Sequence, residues 1–216
     1  MSILKLWKCS RLCVIGFVMV LASGCSALLP APPPQSSYYS LDGVPYEARA
    51  TSILSASTSA KPTIIINNPR AAAGYDSRHI IYTRQAHKLE YFAHSEWVDA
   101  PAHMLAPLMM TAVERSGAFN AAVLSPSNIV GDFRLDTEIV RLQQEFDSQP
   151  SKVRFTLRVY MVNNATRKVI AVREFDETAI AKSEDPYGGV VAANQAVQTV
   201  LEKLTAFCSE ALMQNK

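Results

Sequence analysis

Two runs of strict alternation constrain this chain more than any other feature. Phe133, Leu135, Thr137 and Ile139 alternate with Asp132, Arg134, Asp136 and Glu138, and Val153, Phe155, Leu157, Val159 and Met161 alternate with Arg154, Thr156, Arg158 and Tyr160. Successive strand side chains point to opposite faces, so each run has one apolar and one wet face. After a turn at residues 163–167, Lys168 to about Ala181 reads as a third strand, which predicts an antiparallel meander over residues 131–181. The outward acids of the first strand can face Arg154 and Arg158 of the second, each good cross-strand pair contributing roughly 0.2–1 kcal/mol. That ladder reads as a solvated face, with a polar partner surface as the alternative.

Elsewhere the period changes. Val190, Asn194, Val197, Leu201, Leu204, Cys208 and Ala211 recur at steps of four and three, predicting a helix from Tyr187 to Met213 with one apolar stripe. Gly188 and Gly189 are expected to loosen its start. A first helix is expected after Trp97-Val98, with Asp99 as N-cap, Pro101 in the first turn, and Met104, Leu105, Leu108, Met109, Ala112 and Val113 at helical spacing until Ser116-Gly117. Ser37 to Leu41 reads as a first strand, and Thr63-Ile64-Ile65-Ile66 as a strand central in its sheet, because β-branched residues without alternation suit cover on both faces. His79–Thr83 and Lys88–Phe92 are joined by four residues, a hairpin length. Residues 46–60 are small and polar and read as a loop. The expected fold class is α+β: a mixed, largely antiparallel sheet with a C-terminal three-strand meander and two amphipathic helices packed on one face. An apolar fraction of 49% is enough for a real core.

The first 24 residues have a different character. Lys5, Lys8 and Arg11 flank an apolar stretch from Leu12 to Ala22, followed by small residues before Cys25, the form of a secretory leader. As a helix that stretch rises only about 16 Å against a bilayer core of ~30 Å, too short to span. Leu21-Ala22-Ser23-Gly24-Cys25 resembles the bacterial lipobox, which implies cleavage before Cys25 and acylation of its thiol. Ser26, in the sorting position, then favours the outer membrane with the protein facing the periplasm, through an acylated Cys25 in the lipid bilayer. Cys9 and Cys13 fall in the leader, so Cys208 alone is left as a thiol and a disulfide scaffold is excluded. The stripe around Cys208 marks it as a small buried hydrophobe. Pro30, Pro32, Pro33 and Pro34 make residues 25–37 a stiff tether, reaching about 3.1 Å per residue, ahead of a single domain over residues 38–216.

Charge and motifs narrow the function. Lys and Arg total 21 against 19 acidic residues, but three of the basic ones precede Cys25, so the processed chain carries one more acid than base and gives no footing for nucleic acid. After the leader there is no G-x-S-x-G, H-E-x-x-H, C-x-x-C, P-loop or dinucleotide glycine pattern. His79, His87, His94 and His103 are scattered, and Asp132, Asp136 and Glu138 lack anything that would bury them and raise a pKa. No catalytic residue, metal or cofactor is expected.

In order, the chain offers a lipobox, a proline tether, Tyr38-Tyr39-Ser40-Leu41, a β-branched strand, the segment IIYTRQAHKLEYFAHSEWVDAP, a helix ending near ERSGAF, a meander and a final helix. This order resembles the auxiliary lipoprotein family of ABC-type transport systems, the PqiC-like lipoproteins that accompany MCE-domain proteins. The resemblance implies a non-catalytic component of an intermembrane lipid transport system, the docking partner of a periplasmic MCE-domain protein at the outer membrane. An envelope-integrity or assembly lipoprotein, or a periplasmic lipoprotein enzyme, are the alternatives. By analogy with symmetric MCE assemblies, a homo-oligomeric ring is expected. Tyr38, Tyr39, Tyr82, Tyr91 and Trp97 are the candidate partner contacts, with core and helix-start packing as their other role.

Overall fold

The structure, a computed structural model, describes residues 34–42 and 61–214. The chain divides into two compact units, Met1–Gln35 and Ser36–Lys216. The leader, Cys25, most of the tether and the loop at residues 46–60 lie outside the described residues. The second unit has strands β1 (Ser37–Tyr39), β2 (Thr63–Ile66), β3 (Arg70–Ala71), β4 (His79–Gln85) and β5 (Lys88–Trp97), then helix α1 (Pro101–Ser116). Strands β6 (Ala121–Leu124), β7 (Phe133–Glu145), β8 (Lys152–Asn163) and β9 (Lys168–Ile180) lead to helix α2 (Pro186–Gln214). The result is an open mixed sheet with two helices, an α+β fold.

The alternating runs form the expected meander. β7 pairs antiparallel with β8, and β8 with β9, along almost their whole lengths. Leu135, Ile139, Phe155, Leu157, Val159 and Met161 point inward and are fully buried. The opposite face carries the ion ladder: Arg158 sits 3.3 Å from Glu138 and 2.8 Å from Glu174, and Arg154 lies 3.3 Å from Glu145 and 3.4 Å from Asp176. Glu174, hydrogen-bonded to Arg158, raises the pKa of that guanidinium further.

β7 is the spine of the sheet. Its second edge is shared by three short strands that join it in chain order, each parallel to it: β2 at Phe133–Leu135, β3 at Glu138–Ile139 and β4 at Gln144–Glu145. Pro69 has no N–H to donate, and the chain leaves β2 there without leaving β7. Asn67 donates its backbone N–H to Leu135 O at 3.1 Å and its side chain to Asp136 at 2.6 Å, and Ala72 N reaches Ile139 O at 2.8 Å. β2 is central as expected, with β6 on its far side. β5 pairs antiparallel with β4 and carries β1 parallel on its outer edge. β3 and β6 were not anticipated: Arg70-Ala71 is too short to carry a pattern, and Ala121–Leu124 lacks the β-branched run that marks β2.

Both helices pack as amphipathic elements, α2 against β7, β8 and β9 and α1 against β2, β6 and α2. Leu105, Met109 and Val113 are fully buried, as are Val197, Leu204 and Cys208. Asn194, the polar member of the α2 stripe, accepts the N–H of Asp42 at 2.8 Å and donates to Ser40 O at 3.1 Å, tying the chain after β1 to the helix. Phe175 of β9 meets Phe207 of α2 edge-on at 6.1 Å, with Arg173 5.0 Å from the Phe207 ring and ion-paired to Glu210 at 3.1 Å.

Two local expectations are corrected. Ala100, not Asp99, is the N-cap of α1: its carbonyl accepts from His103 and Met104, while the Asp99 carboxylate takes the Ala100 N–H at 2.7 Å and faces His103 Nδ1 at 3.2 Å. Those two contacts hold the Asp99 pKa below its ordinary value. Gly188 and Gly189 do not loosen α2 but permit close approach. A β-carbon would lie 2.3 Å from Ser183 O at the first and 2.2 Å from Gln144 Oε1 at the second. Gln144 is buried, and its amide nitrogen donates to Ser151 Oγ at 2.9 Å.

Asp185 caps α2, accepting the Gly188 N–H at 2.7 Å and the Ser183 hydroxyl at 2.8 Å, with Pro186 in the first turn. These hydrogen bonds favour the charged form and lower its pKa. A depressed carboxyl pKa stabilises the fold above the unfolded value, and the contribution is lost as pH falls through the folded one. Asp185→Ala is therefore expected to cost about 1 kcal/mol near neutral pH. In urea titrations the gap from the parent should narrow below about pH 4; an undiminished gap at the lowest pH would contradict the cap.

Candidate functional site

The hairpin β4–β5 and the edge strand β1 sort the five candidate aromatics onto two faces. Tyr38 is opposite Glu96 on β5, and Glu96 is opposite His79 on β4, so all three share one face. Tyr91 joins that face by stacking on His79, the rings 4.2 Å apart and 9° from parallel. Tyr38 and Tyr91 remain 57% and 56% exposed. Arg78 lies with its guanidinium 5.4 Å from the Tyr38 ring and 3.7 Å from Glu96. Leu89 and Val98, also exposed, add apolar surface nearby in the same segment.

Tyr39, Tyr82 and Trp97 go elsewhere. Tyr39 pairs in register with Trp97 and is half-buried, its ring 6.5 Å from Tyr187 at the start of α2. Tyr82 packs among Phe92 at 4.6 Å and Phe146 at 5.7 Å, with Arg84 4.8 Å from its ring. Trp97 is 3% exposed, a core residue at the approach to α1. Its backbone holds the strands together: Trp97 N donates to Arg78 O at 2.8 Å, Arg78 Nε donates back to Trp97 O at 3.1 Å, and Val98 N donates to Tyr39 O at 2.8 Å. Packing thus occupies three of the five, and the backbone beneath the exposed pair is cross-braced where β1, the start of β4 and the end of β5 meet.

Arg78, His79, Leu89 and Val98 were not among the sequence candidates. Which residues join Tyr38 and Tyr91 depends on the hairpin register, and that register shifts twice between β4 and β5. Neighbouring loop 72–78 is fixed by Tyr75, whose hydroxyl donates to Gln143 Oε1; Gln143 Nε2 in turn donates to Glu145 Oε1 at 2.9 Å. The surface offers ring faces, a guanidinium and phenol hydroxyls, suited to stacking, cation–π contact and hydrogen bonding with a protein partner.

The remaining reactive groups are occupied or dispersed. Among the described residues no three His, Cys, Asp or Glu side chains gather as a metal would need, and no helix is long and apolar enough to cross a membrane. Burial pushes the Cys208 thiol up to about 12. A thiol reagent at pH 8 is expected to leave Cys208 unlabelled in the native protein and to label it fully in denaturant, as mass spectrometry would report; rapid native labelling would contradict its burial.

A family model described as the ABC-type transport auxiliary lipoprotein component matches residues 39–205. The chain belongs to this family. The match begins at the last residue of β1 and ends within α2, so it takes in β2 to β9 and α1 whole. No curated protein matches the sequence. Among solved structures, a Xanthomonas campestris protein of family DUF330 superposes with a TM-score of 0.70 at 19% identity, covering 83% of this chain and 98% of that one. A second crystal structure, of an uncharacterised protein, gives 0.62 at 9% identity, over 80% and 98%. At such identities the likeness is one of fold. For this transport auxiliary lipoprotein, Arg78, His79 and Tyr91 of the exposed face lie within the matched span, and Tyr38 lies one residue before it.

Proposed function

We propose that this transport auxiliary lipoprotein is the outer-membrane docking component of an MCE-type intermembrane lipid transport system. Residues 1–24 direct export and are removed, Cys25 carries the acyl anchor, and Ser26 favours the outer membrane. The proline tether through residue 37 then holds the folded domain in the periplasm. The Tyr38–Tyr91 face, with Arg78 and His79, meets a periplasmic MCE-domain protein, and several copies assemble around its symmetry axis. The observation that carries this reading is a pair of half-exposed tyrosines on braced strands, in a chain whose family serves ABC-type transport. Tyrosine and arginine are enriched among the residues that dominate binding energy at protein interfaces.

The test is crosslinking in cells with a photoreactive amino acid at position 91 or 38, and at exposed Thr178 as control. An MCE-domain protein is expected from positions 91 and 38 only. Recovery of none, with outer-membrane lipid content unchanged on deletion, would overturn the proposal and leave an envelope-integrity role.

A further inference from the structure

A groove of about 340 Å³ runs between α1 and α2, on the helical side of the sheet, away from the Tyr38–Tyr91 face. Its walls include Leu108 and Ala112 of α1 and Leu201 of α2, and it is mainly apolar. Leu105, Met109 and Val113 face the core, whereas Leu108 and Ala112 lie on the flank turned toward α2 and keep partial exposure.

Three charges border it. Arg115, in the last turn of α1, has no ion-pair partner among the described residues. Glu202, one rim acid, accepts a single hydrogen bond, from Gln198 Nε2 at 3.2 Å, and Asp42, the other, accepts the Ser40 hydroxyl. Each carboxylate has lone pairs to spare.

We propose that this groove binds a zwitterionic amphiphile, with an acyl chain along Leu108, Ala112 and Leu201, a phosphate on Arg115 and an ammonium between Glu202 and Asp42. The volume falls in the range of small-molecule sites, and an apolar cleft with a few placed polar groups is their usual composition. Charge selects the class. A purely anionic head would satisfy one guanidinium while facing two carboxylates, and a purely cationic head would leave the guanidinium unmatched. A phosphate and an amine on one head answer both signs, the phosphate by the paired donors of the guanidinium. The inference goes beyond docking and does not rest on it, because the two surfaces lie on opposite sides of the sheet.

The test uses the chain with Cys25→Ala behind a cleavable leader that needs no lipobox, exported to the periplasm, purified without detergent and freed of bound lipid by reverse-phase extraction and refolding. Calorimetric titration compares lysophosphatidylethanolamine with lysophosphatidylglycerol and monoacylglycerol of the same chain length. At least tenfold tighter binding of the zwitterion is expected. Arg115→Gln should remove most of that preference. Filling the groove with Ala112→Trp from one wall, or Thr205→Phe from the other, should abolish binding while the folded circular dichroism spectrum is kept; two variants guard against one failing to fold. Equal affinity for all three amphiphiles, or binding untouched by either filled groove, would overturn the proposal. So would a dimer in native mass spectra that Ala112→Trp converts to monomer, which would make a second copy the occupant. Crosslinking from position 91 should be unchanged by Thr205→Phe, so failure of this site and failure of docking are separable.

Discussion

With residues 1–24 replaced by a cleavable leader that needs no lipobox, Cys25→Ala is expected to move the protein from the membrane pellet to the soluble periplasmic fraction almost completely. Anchoring by acyl chains contributes about 0.8 kcal/mol per buried methylene, and stable attachment takes more than one chain. A lipoprotein acylated at this cysteine carries several chains, so loss of the thiol removes the whole of that energy at once. The folded unit begins at Ser36, eleven residues beyond Cys25. Thermal unfolding of the released domain should therefore match that of the detergent-extracted parent. Fractionation with a mass measurement of the N-terminal peptide checks both points. A Cys25→Ala protein that still sediments with membranes, or a parent without acyl mass on Cys25, would remove the anchor from the proposed function.

Phe155→Ala is expected to cost about 3–5 kcal/mol, the range for truncating a fully buried phenylalanine. Phe155 is the largest fully buried side chain among the described residues and lies on the middle strand of the meander, opposite Leu142 on β7 and Glu177 on β9. α2 covers this part of the sheet, so the cavity has no easy route to collapse. For a domain of this size the melting temperature should fall by roughly 6–20 °C. Val172→Ala, on the outer side of the same meander and 56% exposed, should change stability by no more than about 0.5 kcal/mol. Equal effects from the two would mean that the inner and outer faces are misassigned. Crosslinking at Tyr91 should survive Val172→Ala, since that substitution leaves the hairpin untouched.

The proposed docking face was only half legible in the sequence. Tyr38 and Tyr91 are exposed, but Trp97 belongs to the core, and Tyr39 and Tyr82 are half-buried in ring contacts on other elements. Adjacent residues such as Tyr38 and Tyr39 must face opposite ways on a strand, so one of them had to turn inward. Which one did follows from β1 pairing with β5 so that Tyr39 meets Trp97. That contact links residues far apart in the chain, and no local pattern encodes it.

By itself, the sequence determined the meander, the two helices and the side that each buries. Those features depend on periods of 2 and 3.6, which are properties of short segments and survive any tertiary arrangement. The buried, unreactive Cys208 followed from the same stripe. Only the tertiary structure decided that β2, β3 and β4 would line up along one edge of β7, and that four residues at Ala121–Leu124 would become a strand beside β2. It also turned Gly188 and Gly189 from a loose helix start into a contact too close for any side chain. The physical reason is the same in each case. Hydrogen-bond partners, register and steric clearance are relations between distant segments, whereas periodicity states only which way a segment faces once a partner has been found.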